Sequence, residues 1–210
     1  MLLYYITDRS QFSGAEPDLQ TRLIERIADA VGCGIDFIQL REKDLCAHEL
    51  EALAQVVIQT VRASGSPTRL LINSRTDIAL AVDAHGVHLR SHDVSPIEVR
   101  RIWRGAGQKN EPVIAVSCHT EAEVVAAKKN GADFVVFGPV FEKKDSPEVS
   151  ATGLDQLRSA CRHGVPVVAL GGVRRQNAHL CTQAGAEGIA GIRLFQDGDL
   201  AATVKKLRPA

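Results

Sequence analysis

Two cationic side chains and an amide stand at alternate positions near the end of an apolar run: Gln39, Arg41 and Lys43. Alternate side chains of an extended strand point to the same face, so this spacing predicts that the three converge. Their charge favours an anionic ligand, because a guanidinium can hold a phosphate through two parallel hydrogen bonds. We therefore predict an anion-binding site here, with an ordinary solvated strand end as the alternative.

Polar side chains also follow the next three apolar runs. Asn73 and Ser74 end the first of these runs, Asp93 follows the second, and Ser117 and His119 stand two residues apart at the end of the third. In a barrel of alternating strands and helices, the carboxyl ends of the strands face a common ligand site. Polar residues at four successive strand ends therefore predict a site in the mouth of such a barrel.

Glycines and a further arginine mark the last two apolar runs. Gly171 and Gly172 precede a helix-period segment, and Ile192 and Arg193 lie near the end of the eighth run. Glycine lets backbone N–H groups approach a phosphate, and a helix N-terminus favours an anion. A tight turn alone would explain the glycine pair, but the loops after strands seven and eight are the usual phosphate site of barrel enzymes. Two anion sites would then share one mouth, suited to two phosphorylated ligands or to one ligand with two anionic ends.

The scaffold that gathers these residues is predicted from a strict alternation of apolar runs and helix-period segments. The runs are rich in Val, Ile and Leu, which is typical of strands buried on both faces. The predicted strands are residues 2–7, 36–42, 69–74, 86–90, 113–118, 134–141, 166–172 and 188–195. The predicted helices lie near residues 18–32, 46–63, 77–84, 95–104, 120–130, 153–163, 174–184 and 198–207. Eight such units predict a (β/α)8 TIM barrel that forms a single domain over residues 1–210.

Composition narrows the classes of partner. Lys and Arg together number 25, as do Asp and Glu, so the formal net charge is zero. That balance argues against nucleic acid or a membrane surface as a partner, and no apolar run is long enough to span a bilayer. The five cysteines form no C-x-x-C pair, and no secretory leader is recognisable, so we expect a cytoplasmic protein. A homodimer is compatible with the sequence.

Eight short segments, in order along nearly the whole chain, resemble the thiamine-phosphate synthase/TenI family. They lie at residues 5–9 (YITDR), 39–43 (QLREK), 73–80 (Asn73 and DIAL), 86–89 (GVHL), 117–120 (SCHT), 131–134 (GADF), 137–141 (FGPVF) and 169–173 (ALGGV). Synthases of that family join hydroxymethylpyrimidine diphosphate to thiazole phosphate and release pyrophosphate. The TenI branch includes a tautomerase that acts on a thiazole phosphate carboxylate.

The resemblance implies roles for the residues that match the family's motifs. Pyrophosphate contacts fall on Gln39, Arg41, Lys43 and Asn73, one magnesium ligand on Asp93, a substrate contact on Ser117, and the thiazole phosphate cradle on Gly172. Arg193 departs from the family, which carries a serine there, and we expect Gly171, Ile192 and Arg193 to bind substrate because of their place beside that cradle. His119 matches the general acid/base of the tautomerase, although synthases often carry a histidine there too. Three residues are expected to act in catalysis itself: His119, Lys43 and Ser117.

Departures from the synthase pattern leave the activity open between three readings. Ser74 stands where synthases carry a second magnesium aspartate, so magnesium is expected but with a weakened site. Arg90 replaces a glycine, and Lys143 and Lys144 lie in a loop that replaces the Thr-x-Thr-Lys pattern. Either lysine could supply the positive charge that a departing pyrophosphate requires. We predict a synthase, with a thiazole tautomerase and a non-catalytic, regulatory phosphate-binding barrel as the alternatives.

Overall fold

The computed structural model describes residues 1–142 and 150–208. Eight parallel strands form a closed barrel in the order of the chain, and β8 pairs with β1 to complete it. The strands are β1 (Leu2–Ile6), β2 (Phe37–Leu40), β3 (Arg69–Asn73), β4 (Gly86–Leu89), β5 (Val113–Cys118), β6 (Phe134–Phe137), β7 (Val167–Ala169) and β8 (Gly188–Gly191). The predicted TIM barrel is confirmed.

Helices surround the barrel. They are α1 (Asp18–Gly32), α2 (Ala47–Ala63), α3 (Thr76–Ala81), α4 (Pro96–Gly105), α5 (Glu121–Lys129), α6 (Gly153–Ala160), α7 (Ala178–Gln183), α8 (Arg193–Gln196) and α9 (Leu200–Leu207). A Thr120–Glu123 capping box begins α5: the Thr120 side chain accepts from the Glu123 N–H, and the Glu123 carboxylate accepts from the Thr120 N–H. None of the helices in the described ranges is long and apolar enough to cross a membrane.

Two cores follow from the alternation of side chains along each strand. Outward-facing side chains pack against the helices in a large apolar cluster that includes Leu3, Tyr5 and Ile38. Inward-facing side chains fill the barrel and make it a packed interior rather than a pore. That inner cluster consists of Tyr4, Ile6, Leu71, Ala115, Phe134, Val136, Val168 and Ala190. The predicted polar residues Gln39, Asn73 and Ser117 lie above most of this cluster, toward the carboxyl ends of their strands.

Seven of the eight predicted strands are longer than the observed ones, and two of them run four residues past the observed end. The strand predicted at 188–195 ends at Gly191, and α8 begins at Arg193, because the N–H groups of Phe195 and Gln196 donate to the Ile192 carbonyl. The strand predicted at 134–141 ends at Phe137, before Pro139, which has no N–H to donate to a ladder. Short apolar runs alone do not separate strand from helix, which explains the error in the eighth run.

Candidate functional site

One half of the barrel mouth is built on β2 and β3. The Gln39 side chain is almost fully buried, and its amide donates to Asn73 Oδ1 at 3.2 Å. Strand β2 ends at Leu40, so Arg41 and Lys43 lie in the following loop and do not share a strand face with Gln39. The predicted spacing argument is therefore wrong for these two cations, although they remain at the same end of the barrel as Gln39.

The cations of this half lie close enough to affect one another. The nearby charge of Arg41, followed by partial burial and the charge of Arg90, lowers the pKa of Lys43. Among residues 1–142 and 150–208, the side chains of Arg41 and Lys43 make no hydrogen bond or ion pair. Two like charges held close together favour an anion, although the charge of Asp8 partly offsets that of Lys43, and their mutual repulsion falls when an anion binds.

A buried polar network holds the loop that carries Arg41 and Lys43. The Glu42 side chain is 1% exposed and accepts from Thr7 Oγ1 at 2.5 Å, from the Arg9 N–H at 2.9 Å and from the Arg9 guanidinium at 3.2 Å. Thr7 Oγ1 in turn accepts from the backbone N–H of Arg41 at 3.0 Å. Arg9 also pairs with the exposed Asp44. The sequence analysis did not select Thr7, Arg9 or Glu42. The signal available for them was that Arg9 and Glu42 are charged residues within the segments 5–9 and 39–43 that resemble the family.

Asp93, the predicted magnesium ligand, is surrounded by donors. Its carboxylate accepts from Ser74 Oγ at 2.6 Å, from the Arg90 N–H at 2.8 Å and from Arg90 Nε at 3.1 Å. Burial opposes ionisation, but the hydrogen bonds from Ser74 and Arg90 prevail, and the pKa of Asp93 is lowered. In the two described ranges, no three His, Cys, Asp or Glu side chains come together in a way that could hold a metal. The donor set around Asp93 therefore does not fit a magnesium site built by the protein alone.

Ser117 lies near the end of β5 and His119 directly follows that strand, on the other side of the mouth. The His119 side chain is exposed, and its ring Nδ1 contacts the carbonyl oxygen of Gly138. The backbone N–H of His119 donates to the Glu123 carboxylate at 2.6 Å. A carbonyl only accepts, so Nδ1 carries the proton of the neutral ring and Nε2 is an acceptor. An exposed, oriented imidazole of this kind can take or give a proton.

Below Ser117, the barrel interior holds two polar side chains that the sequence reasoning did not select. His88 Nε2 lies 2.7 Å from Ser117 Oγ, and His88 Nδ1 lies 2.8 Å from the Tyr4 hydroxyl. The pKa of His88 is lowered to about 3, mainly by burial and to a smaller extent by the nearby charge of Arg41. Strand alternation, which places His88 inward beside Ala115, was the signal that could have identified it.

The other half of the mouth is a cleft of about 660 Å³ at the ends of β7 and β8. Its lining includes the predicted Gly171, Gly172, Ile192 and Arg193, together with Arg174, Arg175 and Gln11, which were not predicted. Arg193 Nε donates to Gln11 Oε1 at 3.1 Å. The helix expected directly after the glycine pair begins only at Ala178, so the backbone of a turn, and not a helix N-terminus, faces the cleft here.

Close packing explains why both glycines are needed. Gly171 has φ +92°, and a Cβ there would lie 2.4 Å from the Cβ of Pro139. Gly172 has φ +64°, and a Cβ there would lie 2.7 Å from the carbonyl oxygen of Phe141. The pair thus joins the segment after β6 to the turn after β7, whatever it binds. Lys143 and Lys144, which follow in that segment, lie outside the described residues.

Comparison with known proteins agrees with this geometry. The family model described as thiamine monophosphate synthase matches residues 3–195. The chain is similar to a thiamine-phosphate synthase of Caldanaerobacter subterraneus, 36% identical over 98% of this chain and 91% of the relative. It is 38% identical to one of Syntrophomonas wolfei over 98% of this chain and 94% of the relative. Among solved structures, a thiamine phosphate pyrophosphorylase from Pyrococcus furiosus superposes with a TM-score of 0.80, at 29% identity over 98% of this chain and 93% of the other.

Proposed function

The chain belongs to the thiamine monophosphate synthase family, and we propose that it joins hydroxymethylpyrimidine diphosphate to thiazole phosphate with release of pyrophosphate. It is accordingly a transferase of thiamine biosynthesis. The observation that carries the proposal is the division of one mouth into two anion-binding halves. Arg41 and Lys43 form no ion pair with the described residues on one side, and the glycine turn lines a cleft on the other.

The proposed roles follow from where charge develops. The bond from the pyrimidine methylene carbon to the diphosphate oxygen breaks, and the thiazole nitrogen forms a new bond to that carbon. Negative charge grows on the departing pyrophosphate, where Arg41 and Lys43 stabilise it electrostatically and the Gln39 and Asn73 amides orient it. The phosphate of the thiazole binds at the cleft through Gly171, Gly172, Ile192 and Arg193. Lys143 and Lys144 remain proposed contributors of positive charge to pyrophosphate.

Arg41→Ala should weaken pyrophosphate binding by about 1.5–3 kcal/mol, the scale of hydrogen bonds to a charged group. Arg41 has no competing partner among the described side chains, so its loss removes a contact to the ligand and leaves no buried carboxylate behind. Isothermal calorimetry with pyrophosphate measures the change. Arg101→Ala is the matched control, because Arg101 is 76% exposed on α4 and, within the described part of the chain, pairs only with its helix neighbour Glu98. Equal affinities for both variants would remove Arg41 from the site.

Magnesium belongs to the proposal only as a cofactor shared with the diphosphate. Magnesium is commonly held by one or two carboxylates together with substrate phosphates. Asp93 is the carboxylate available here, but it is occupied by Ser74 and Arg90. No step of the reaction above is therefore assigned to the metal.

Ser74→Asp should create a magnesium response that the wild type lacks. The new carboxylate would replace a donor to Asp93, so the two acids would repel each other without metal and attract a divalent cation. Aspartate tolerates the left-handed backbone of Ser74, which has φ +57°. Magnesium at about 100 times its Kd should stabilise this variant by about 2–3 kcal/mol. Thermal unfolding with and without magnesium chloride measures it; Ser74→Asn, which adds no charge, should not respond, and a response of wild type equal to that of Ser74→Asp would contradict the prediction.

The orientation of His119 favours a second candidate, a thiazole tautomerase. A tautomerase moves a proton between atoms of one substrate, and the ring held by Gly138 presents Nε2 for that purpose. His119→Ala should reduce a tautomerase rate by a factor of about 10²–10⁴, but should reduce synthase turnover far less, because the synthase barrier lies in the departure of pyrophosphate. Both reactions are assayed with wild type and this one variant.

Each outcome of that comparison has a distinct meaning. Pyrophosphate release by the wild type, little affected by His119→Ala, supports the synthase. A large loss confined to tautomerisation supports the second candidate, and intact phosphate binding with neither activity leaves a regulatory barrel.

We further propose that the protein acts in the cytoplasm, because all five cysteines are free thiols and such thiols persist in reducing compartments.

A further inference from the structure

A chain of hydrogen bonds crosses the inside of the barrel and ends at the mouth. It runs from the Tyr4 hydroxyl on β1 to His88 on β4 and then to Ser117 on β5, with contacts of 2.8 and 2.7 Å. Tyr4 is fully buried and His88 is 2% exposed, whereas Ser117 is partly exposed. The chain therefore links the closed interior to a side chain that a ligand can reach.

The hydroxyl hydrogen of Tyr4 fixes the direction of the first hydrogen bond. Desolvation raises the pKa of Tyr4, so the phenol keeps its hydrogen. In the described ranges, His88 Nδ1 is the one hydrogen-bond partner of that hydroxyl. A buried hydrogen without an acceptor is costly, so Tyr4 donates and Nδ1 accepts.

The state of His88 then fixes the second hydrogen bond. Burial beside the ring of Tyr4, together with the nearby charge of Arg41, lowers the pKa of His88 to about 3, so its ring is neutral at ordinary pH. A neutral imidazole carries one N–H, and Nδ1 is already an acceptor. The hydrogen is therefore on Nε2, and it is donated to Ser117 Oγ.

The consequence falls on Ser117. Its oxygen already accepts from His88, and among the residues that the structure describes its side chain has no other partner. Its own hydrogen is left to point away from His88, toward the mouth. We propose that Tyr4 and His88 are positioning residues that set Ser117 as a hydrogen-bond donor to an acceptor atom of the bound substrate.

This inference rests on the proposed function in one respect, that Ser117 contacts the substrate. It adds a criterion of specificity, because a ligand that presents an N–H or O–H at this point meets another donor and is disfavoured. Sites built to pair a polar substrate group discriminate strongly against analogues that cannot complete the pair. Tyr4 and His88 would thus affect recognition without touching the ligand.

A double-mutant cycle between Tyr4→Phe and Ser117→Ala tests the coupling. Tyr4→Phe keeps the ring but removes the donor, so His88 can shift its hydrogen to Nδ1 and Ser117 then donates to Nε2 instead of to the ligand. We expect kcat/KM to fall about 3- to 10-fold in the presence of Ser117, the scale of one hydrogen bond, and to stay unchanged in the Ser117→Ala background. An equal loss in both backgrounds would overturn the proposal.

Tyr5→Phe is the matched control for stability. Tyr5 is the next residue of β1, equally buried on the outer face, and its hydroxyl donates to Gln196 Oε1 at 3.0 Å. Loss of this hydroxyl should lower the melting temperature as much as Tyr4→Phe does and leave kcat/KM unchanged. A matching loss of activity in Tyr5→Phe would mean that instability, and not the hydrogen-bond chain, explains the Tyr4 result.

A spectroscopic readout separates this inference from the proposed function. Nitrogen-15 NMR of the ring of His88 in the wild-type protein without ligand should find Nε2 protonated and Nδ1 bare. That result, together with an inactive wild type, would reject the proposed function and keep the chain of hydrogen bonds. An active enzyme whose His88 carries its hydrogen on Nδ1 would reject this inference and keep the function.

Discussion

Glu42→Ala should lower the free energy of unfolding by about 3–5 kcal/mol, the cost of breaking a buried pair by removing one partner. The Glu42 side chain is 1% exposed, and its carboxylate serves the Thr7 hydroxyl, the Arg9 N–H and the Arg9 guanidinium. Truncation leaves the buried Thr7 hydroxyl and the Arg9 N–H without this acceptor, and leaves the Arg9 guanidinium with only the more exposed Asp44 and Glu16 among the described residues. Urea unfolding, followed by circular dichroism, measures the loss.

Asp44→Ala provides the control for that result. Asp44 pairs with the same guanidinium at 2.7 Å, but its side chain is 65% exposed, and exposed pairs contribute about 0–1 kcal/mol. Pyrophosphate affinity should fall with Glu42→Ala as well, because Thr7 Oγ1 holds the backbone of Arg41. Similar stability losses in the two variants would show that the network is not governed by burial.

Gly172→Ala should destabilise the protein by about 2–5 kcal/mol and abolish binding at the cleft. The left-handed conformation of Gly172, φ +64°, costs a residue with a Cβ about 1–2 kcal/mol. The new Cβ would also lie 2.7 Å from the Phe141 carbonyl oxygen and 2.8 Å from that of Glu142. Backbone atoms cannot swing aside as a side chain does, so overpacking adds about 1–3 kcal/mol.

Gly34→Ala separates the two parts of that effect. Gly34 has φ +78°, but a Cβ there would meet nothing within 4 Å, so this variant should show the conformational cost alone. Chemical unfolding and calorimetry with inorganic phosphate are measured for both variants. If Gly34→Ala proved as destabilising as Gly172→Ala, the close approach of the segment after β6 would have no energetic role.

The barrel could be predicted from the sequence because each strand is a compact apolar run between helix-period segments. The pattern failed where local geometry overrides composition. Ile192, Leu194 and Phe195 are apolar enough to extend a strand, yet the backbone turns at Gly191 into α8. Pro139 likewise ends β6 within a continuous apolar run. Hydrophobicity alone does not encode these turns.

Some residues of the candidate site could likewise be predicted from the sequence, and others could not. The predicted anion-binding residues lie at the carboxyl ends of the strands, because that position is fixed by the order of elements. Residues that act through a partner distant in sequence were missed. Glu42 depends on Thr7 and Arg9, and His88 depends on Tyr4, and each pairing exists only once the strands are in register. A single sequence carries no signal for such distant partners.

Closure of the barrel has a consequence for how the protein must be made. Leu2 on β1 pairs with Gly188 on β8, so one edge of β1 stays unpaired until β8 has been synthesised. Until β8 emerges, β1 and β7 are open edges with unpaired backbone groups, which invite other chains to pair with them. Contacts between strands so distant in sequence also form slowly. Chains that lack β8 should therefore aggregate.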